Sequence, residues 1–245
     1  MDNAQSWTLE QLETYLLSET HHGRPGLSAA KKCRLARGLQ PDAERWIPLL
    51  ARSPVAGARE VAARLIAPLW HNRADFDSLV LALASDDDWE VREWAAAPFV
   101  DRYAASPGES LPQYVAWADS APDGVKRAIA VAVKSLAQRP DLEVDPLWTI
   151  LDHVAVCEAE YVRKNLGPFV VGDGLLPRYP EESLVHLKAW SHLGHWAARW
   201  NAAAAFTAKK SRKYREQGLY LLHGLADDSD ARVRRVAQKA LKIAQ

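Results

Sequence analysis

The chain has 245 residues, 48% of them hydrophobic, with 31 Lys and Arg against 31 Asp and Glu and a pI of about 7.1. That is enough apolar surface for one sizeable core or a short repeat array, and the balanced charge does not, on average, mark a nucleic-acid binder. No run approaches the roughly 18 apolar residues of a membrane span, and Cys33 and Cys157 have neither a metal-binding spacing nor a disulfide framework.

The first residues, MDNAQSWTLEQL, carry no basic or apolar leader, so a reduced, cytoplasmic protein is expected. From there the signals are helical. Apolar residues at helical spacing predict a helix over 7–19, capped by Ser6, and further helices in AREVAARLIAPLW, DSLVLALAS, VKRAIAVAVKSLAQ, SLVHLKAW and ARVRRVAQKALKIA. Pro41, Pro54, Pro107, Pro122, Pro140, Pro146 and Pro180 fall between these segments, where proline starts or separates helices. Strand signals are weak, and no Asn-Gly hairpin turn is present.

A short motif recurs along the chain: small or acidic residues, an apolar residue, then a basic one. It reads GAREVAARL, DWEVREWAA, DGVKRAIAV, AEYVRKNLG, WAARWNAAA and DARVRRVAQ, with basic positions Arg59, Arg92, Lys126, Arg163, Arg199 and Arg234. The gaps of 33, 34, 37, 36 and 35 residues are the mark of a helical-repeat array. Two helices fit each period, and the motif opens the second of each pair. The expectation is a single all-α domain over 1–245, a right-handed α-α superhelix of about six HEAT-like repeats. The recurring cations have two readings, a phosphate-contacting row on a concave surface or an inter-repeat ladder with upstream aspartates.

Charge is segregated. From Asp75 to Asp123 there are 11 Asp and Glu against 2 Lys and Arg, a balance of −9; from Arg199 to Gln245 there are 11 Lys and Arg against 4 Asp and Glu, or +7. Such asymmetry makes a basic face on a neutral protein. Within the basic half, TAKKSRKYREQ places Lys209, Lys210, Arg212 and Lys213 as candidates for phosphate contact. Trp196 and Trp200 share one helical face as a candidate aromatic wall. Trp89 and Glu93 are likewise one turn apart, and Glu93 interrupts an otherwise apolar run. His192 and His195 stand at i,i+3 without a third ligand, so no metal is expected there. No phosphate loop, nucleophile elbow or His-Glu-x-x-His is present, which argues against kinase, hydrolase and metalloprotease chemistry.

Several of these segments together resemble the DNA alkylation repair superfamily, the HEAT-like glycosylases of the AlkC/AlkD type. The segments are REWAAAPFV (92–100), WADSAPDGVKRAIAVAV (117–133), EYVRKNLGPF (160–169) and YPEESLVHLKAW (179–190). The resemblance covers roughly residues 55–245. It implies an all-α superhelix that cradles duplex DNA and releases purines alkylated at N3 or N7. A cationic base leaves without a strong general acid; the positive sugar left behind is stabilised by a carboxylate. The resemblance places Trp89 and Glu93 in that role, with Asp173 close to a family aspartate. It gives Arg127 a phosphate contact, and Arg92, Lys126, Arg163, Lys164 and Arg199 are the further candidates for binding DNA. Two family site positions differ: Pro168 stands where one branch has an aromatic residue, and Val131 where the other has a second glutamate. The expected partner is alkylated duplex DNA, bound by a monomer with no cofactor, metal or membrane. The alternative is a non-catalytic HEAT-repeat protein that binds damaged or structured DNA or a protein.

Overall fold

A computed structural model of the chain describes residues 7–243. The protein is all-α: apart from one two-residue hairpin, the described residues are helical or in connecting turns. The chain divides into two compact units, Met1–Ser110 and Leu111–Gln245. Among the described residues no helix is long and apolar enough to cross a membrane, and both cysteines are free thiols.

The first unit holds α1 (Leu9–Leu16), the hairpin strands β1 (Thr20–His21) and β2 (Arg24–Pro25), α2 (Ala29–Leu39), α3 (Ala43–Leu50), α4 (Ala56–Ile66), α5 (Asp77–Ala84), α6 (Trp89–Trp94) and α7 (Ala96–Ala105). Ser6, the expected first cap, lies outside the described residues; the observed cap is Thr8, which forms a reciprocal capping box with Gln11. The weak strand signals do not predict the hairpin. Its turn is His22-Gly23 rather than Asn-Gly, with φ +50° and +75°, and such a turn needs positive φ at both central residues. Helix α4 is the hub. It packs against α2, α3, α6 and α7 through a nearly continuous buried surface of Ala58, Val61, Ala62, Ala63, Leu65 and Ile66.

Helix α8 (Pro107–Ser120) contains the division between the units. The second unit continues with α9 (Asp123–Leu136), α10 (Asp145–Ala155), α11 (Glu160–Asn165), a π-helical segment (Leu166–Leu175), α12 (Pro180–His192), α13 (Trp196–Ala205), a 3₁₀ turn (Lys210–Tyr214), α14 (Arg215–Ala226) and α15 (Ala231–Lys242). Within it, α9, α11 with its π-helical extension, α13 and α15 pack side by side, and α10, α12 and α14 form the other layer. The π-helical segment is tight against α13: a Cβ on Gly172 would lie 2.2 Å from the Ala205 carbonyl oxygen. Glycine at 172 therefore admits a neighbouring helix rather than ending its own.

The six recurring cations occupy one structural position. Arg59, Arg92, Lys126, Arg163, Arg199 and Arg234 are each the fourth residue of α4, α6, α9, α11, α13 and α15. A side chain there points back toward the helix N-terminus, over the chain that leads into the helix, and each one donates to carbonyls of that loop or, for Lys126, of the last turn of the preceding helix. Arg59 bonds the Ser53 and Pro54 oxygens at 2.9 and 3.2 Å, and Arg92 those of Asp86 and Asp87 at 2.5 and 2.9 Å. Lys126 reaches Asp119 at 3.0 Å, Arg163 Glu158 at 3.2 Å and Arg199 Leu193 at 2.8 Å. Arg234 reaches Asp228 and Ser229 at 2.7 and 2.8 Å. The repeat period thus comes from a clamp that satisfies carbonyls left open between paired helices.

In two places the clamp becomes a ladder. Asp86 takes a two-pronged bond from Arg59 at 2.6 and 2.9 Å, and Asp228 takes one from Arg199 at 2.6 and 3.1 Å. Two residues on, Asp88 and Asp230 cap α6 and α15, so the sequence Asp-x-Asp-x-x-Val-Arg encodes acceptor, cap and clamp together. Burial pushes both acceptor carboxyls up, but the arginine bonds and the Asp88 and Asp230 amides outweigh it and hold them below the ordinary range. A depressed native carboxyl stabilises above the unfolded value of about 4 and loses that contribution as pH falls through the native value. Asp228→Asn should therefore cost about 1–3 kcal/mol at pH 7 and much less near pH 2, read by urea denaturation at each pH. An equal cost at both would show that charge is not the cause.

Candidate nucleic-acid interface

Arg163, Lys164, Trp196 and Trp200 come together in the second unit. The Arg163 guanidinium lies 4.5 Å from the Trp196 ring centre and 4.7 Å from that of Trp200, and Arg232 sits 3.3 Å from the Trp196 centre. The Trp196 indole N–H donates to Glu158 Oε1 at 2.8 Å, which fixes the ring. Beside them opens a cleft of about 450 Å³ lined by Glu160, Arg163, Lys164, Trp200, Arg232, Arg235, Val236 and Lys239. Five cations there face one carboxylate. Lys164 pairs with Glu160 and Arg232 with Asp230. Among the described residues neither Arg235 nor Lys239 has an ion-pair partner. Burial draws the Arg163 guanidinium below its ordinary range, with Glu160 opposing. Guanidinium groups stacked on indoles beside unpaired Arg235 and Lys239 suit the phosphates along a nucleic-acid backbone.

A second cleft of the same unit, about 440 Å³, is lined by Val131, Lys134, Ser135, Gln138, Phe169, Asp173, Gly174, Pro177, Arg178 and Lys210. It joins the two positions, Val131 and Asp173, that the resemblance places at the family's site. Asp173 Oδ1 accepts the Lys210 backbone N–H at 3.1 Å. The Lys134 ammonium rests 3.2 Å from the Phe169 ring centre. Burial lowers its pKa and Lys210 adds to that, while Asp173 opposes. Phe169 is exposed and adjoins Pro168, so an aromatic face is present one residue beyond the position where the family pattern has it. With three cations against one carboxylate, the cleft suits an anionic group such as a phosphate better than a positive base.

The remaining candidates are more dispersed in role. In the first unit, Trp89 opens α6 and is 45% exposed, with Glu93 exposed one turn later on the same helix. Arg92 is spent on loop carbonyls. In the second unit Lys126 is spent on the Asp119 carbonyl, and Arg199 is held by Asp228. Arg127 is buried at 2% exposure, 3.4 Å from Asn165 Oδ1 and 5.4 Å from the Tyr161 ring centre. Lys209, Arg212 and Lys213 are exposed, Lys213 over Tyr214. His195 caps α13 and lies 3.5 Å from Glu158, and His192 meets the Lys188 carbonyl. Sequence reasoning missed Arg232, Arg235, Lys239 and Lys242. Their 3-4-3 spacing places them on one face of α15, a signal present in the sequence.

No family profile matches the chain, and no curated protein matches it. Among solved structures, the crystal structure of an engineered protein shares 16% identity with it, over 98% of this chain and 99% of that one, at a TM-score of 0.27. A likeness that weak carries no argument about function.

Proposed function

We propose that this chain binds duplex DNA through the backbone phosphates and releases alkylated, cationic purines from it. The observation that carries the binding step is the cleft where Arg163 and Arg232 stack on the tryptophans beside unpaired Arg235 and Lys239. Cations held on aromatic faces contact the backbone phosphates of a duplex, and that contact requires no particular sequence. The excision step rests on the resemblance and on Glu93, the carboxylate assigned to the developing positive sugar, with Trp89 beside it on α6.

Binding is tested by fluorescence anisotropy with unrelated duplexes between about 50 and 200 mM salt, a range over which phosphate-driven affinity falls steeply. The Arg163→Ala/Arg235→Ala/Lys239→Ala variant should weaken binding to every duplex equally and flatten the salt slope by about 0.9 for each phosphate no longer neutralised. Alanine at Lys209, Lys210, Arg212 and Lys213 together should act in the same direction. Unchanged affinity at low salt in both variants would remove the DNA reading. A second reading, a scaffold for a protein partner, is favoured by the periodic cations, since each is engaged with carbonyls just before its own helix. It predicts no salt-dependent DNA binding by the wild type.

A further inference from the structure

We propose that His21, His22 and Glu90 form a binding site for a divalent transition metal of the zinc class on the first unit. The site is independent of the DNA reading and of the clefts of the second unit. Its donors come from two elements far apart in sequence: the β1–β2 hairpin supplies both imidazoles, and the first turn of α6 supplies the carboxylate. One ligand atom from each residue lies within 4.8 Å of the other two.

The hairpin is built to hold them there. His22 and Gly23 turn at φ +50° and +75°, which folds the two imidazoles together with ring centres 4.0 Å apart. Arg24, the next residue, donates to Asp88 Oδ2 at 3.1 Å, and Asp88 is the cap of the helix that carries Glu90. The ion pair ties the histidines to the glutamate. None of the three side chains has a hydrogen bond or ion pair of its own among the described residues, so their donor atoms are open. Of the carboxylates just before Glu90, Asp86 and Asp88 are held by Arg59 and Arg24, which leaves Asp87 and Glu90 as the local negative charge.

Two imidazole nitrogens and one carboxylate oxygen are a known zinc donor set that leaves the fourth position to water. Bonds of about 2.0–2.2 Å put tetrahedral donors roughly 3.4 Å apart, a contraction within reach of side-chain rotation. Carboxylate-only cations such as Mg²⁺ gain nothing from the histidines.

The full chain, stripped with a chelator, is titrated with Zn²⁺ against a chromophoric competitor, and with Co²⁺ for its visible absorption. One ion per chain is expected, with at least a tenfold loss of affinity in each of His21→Ala, His22→Ala and Glu90→Gln. His192→Ala and His195→Ala should bind as the wild type does. Added Zn²⁺ should raise the melting temperature of the wild type and not of the three variants. Equal affinity in Glu90→Gln, a loss in the His192 or His195 variant, or no binding by the wild type overturns the site.

Discussion

Lys32→Met should destabilise the protein by about 3–5 kcal/mol, the cost of leaving a buried charge without its partner. Lys32 and Glu60 are 3% and 1% exposed and meet in an ion pair between α2 and α4. The ammonium also lies 5.4 Å from the Trp94 ring centre. Burial pushes the Glu60 carboxyl above its usual range, and the Lys32 hydrogen bond and charge hold it back. Removing Lys32 takes away the larger part of that restraint, so the carboxyl rises further. A carboxyl raised in the native state binds its proton more tightly folded than unfolded, so the penalty is greatest above the native value. It shrinks as pH falls toward the unfolded value near 4.3. Urea denaturation at pH 8 and pH 5 measures both effects. The double variant Lys32→Met/Glu60→Leu should recover most of the loss or exceed the wild type, since apolar groups of similar size often replace a buried pair without cost. A single-variant cost below about 1 kcal/mol would show that Glu60 reaches water once Lys32 is gone.

That pair also marks a limit of sequence reading. Lys32 stands in AAKKCRLARGL, where a lysine reads as a solvated helix position, and nothing local distinguishes it from Lys31. Its burial is decided by α4, 28 residues away. The helices themselves were legible because apolar spacing is a local property: α4, α5, α9, α12 and α15 stand where the periodicity placed them. The repeat register was legible too, since the recurring cation is the fourth residue of its helix every time. Its chemistry was legible in part: the ladder with aspartates is present at Arg59–Asp86 and Arg199–Asp228, while the bonds to nearby carbonyls depend on tertiary geometry. The π-helical segment was missed for a related reason. GPFVVGDG carries turn residues, and close neighbours explain its glycines: Asn201 and Ala204 against Gly167, Ala205 against Gly172, and Lys134 against Gly174. Of the candidate site, the Trp196–Trp200 face was legible from helical spacing, whereas Arg163 reaches it only through the packing of α11 on α13. The Lys134–Phe169–Asp173 cleft needed the neighbouring helices to assemble it.

Glu93→Gln should slow release of alkylated purines about 100- to 1000-fold, or roughly 3–4 kcal/mol in the barrier, with duplex affinity unchanged. The substitution keeps the shape of the side chain and removes only its charge. Glu93 is exposed on α6, and a carboxylate in open water stabilises a nearby cation weakly, because the solvent screens it. Its effect on the proposed reaction therefore depends on the duplex covering it. The same charge acts several-fold more strongly once water is excluded and the sugar is held against it. Two signatures follow. The loss in Glu93→Gln should appear in single-turnover release and not in binding, and raising salt should weaken binding while leaving the single-turnover rate of bound complex nearly constant. Trp89→Ala, which removes an exposed ring beside the carboxylate, should weaken the damaged complex more than the undamaged one. Equal release rates in wild type and Glu93→Gln would take the carboxylate out of the mechanism. If the wild type binds methylated duplex and releases nothing, we propose that Pro168 and Val131 account for it, standing where the resemblance expects an aromatic residue and a second glutamate. The cleft that Val131 lines then holds three cations against Asp173 alone, a balance suited to retaining a phosphate and unsuited to stabilising a positive sugar.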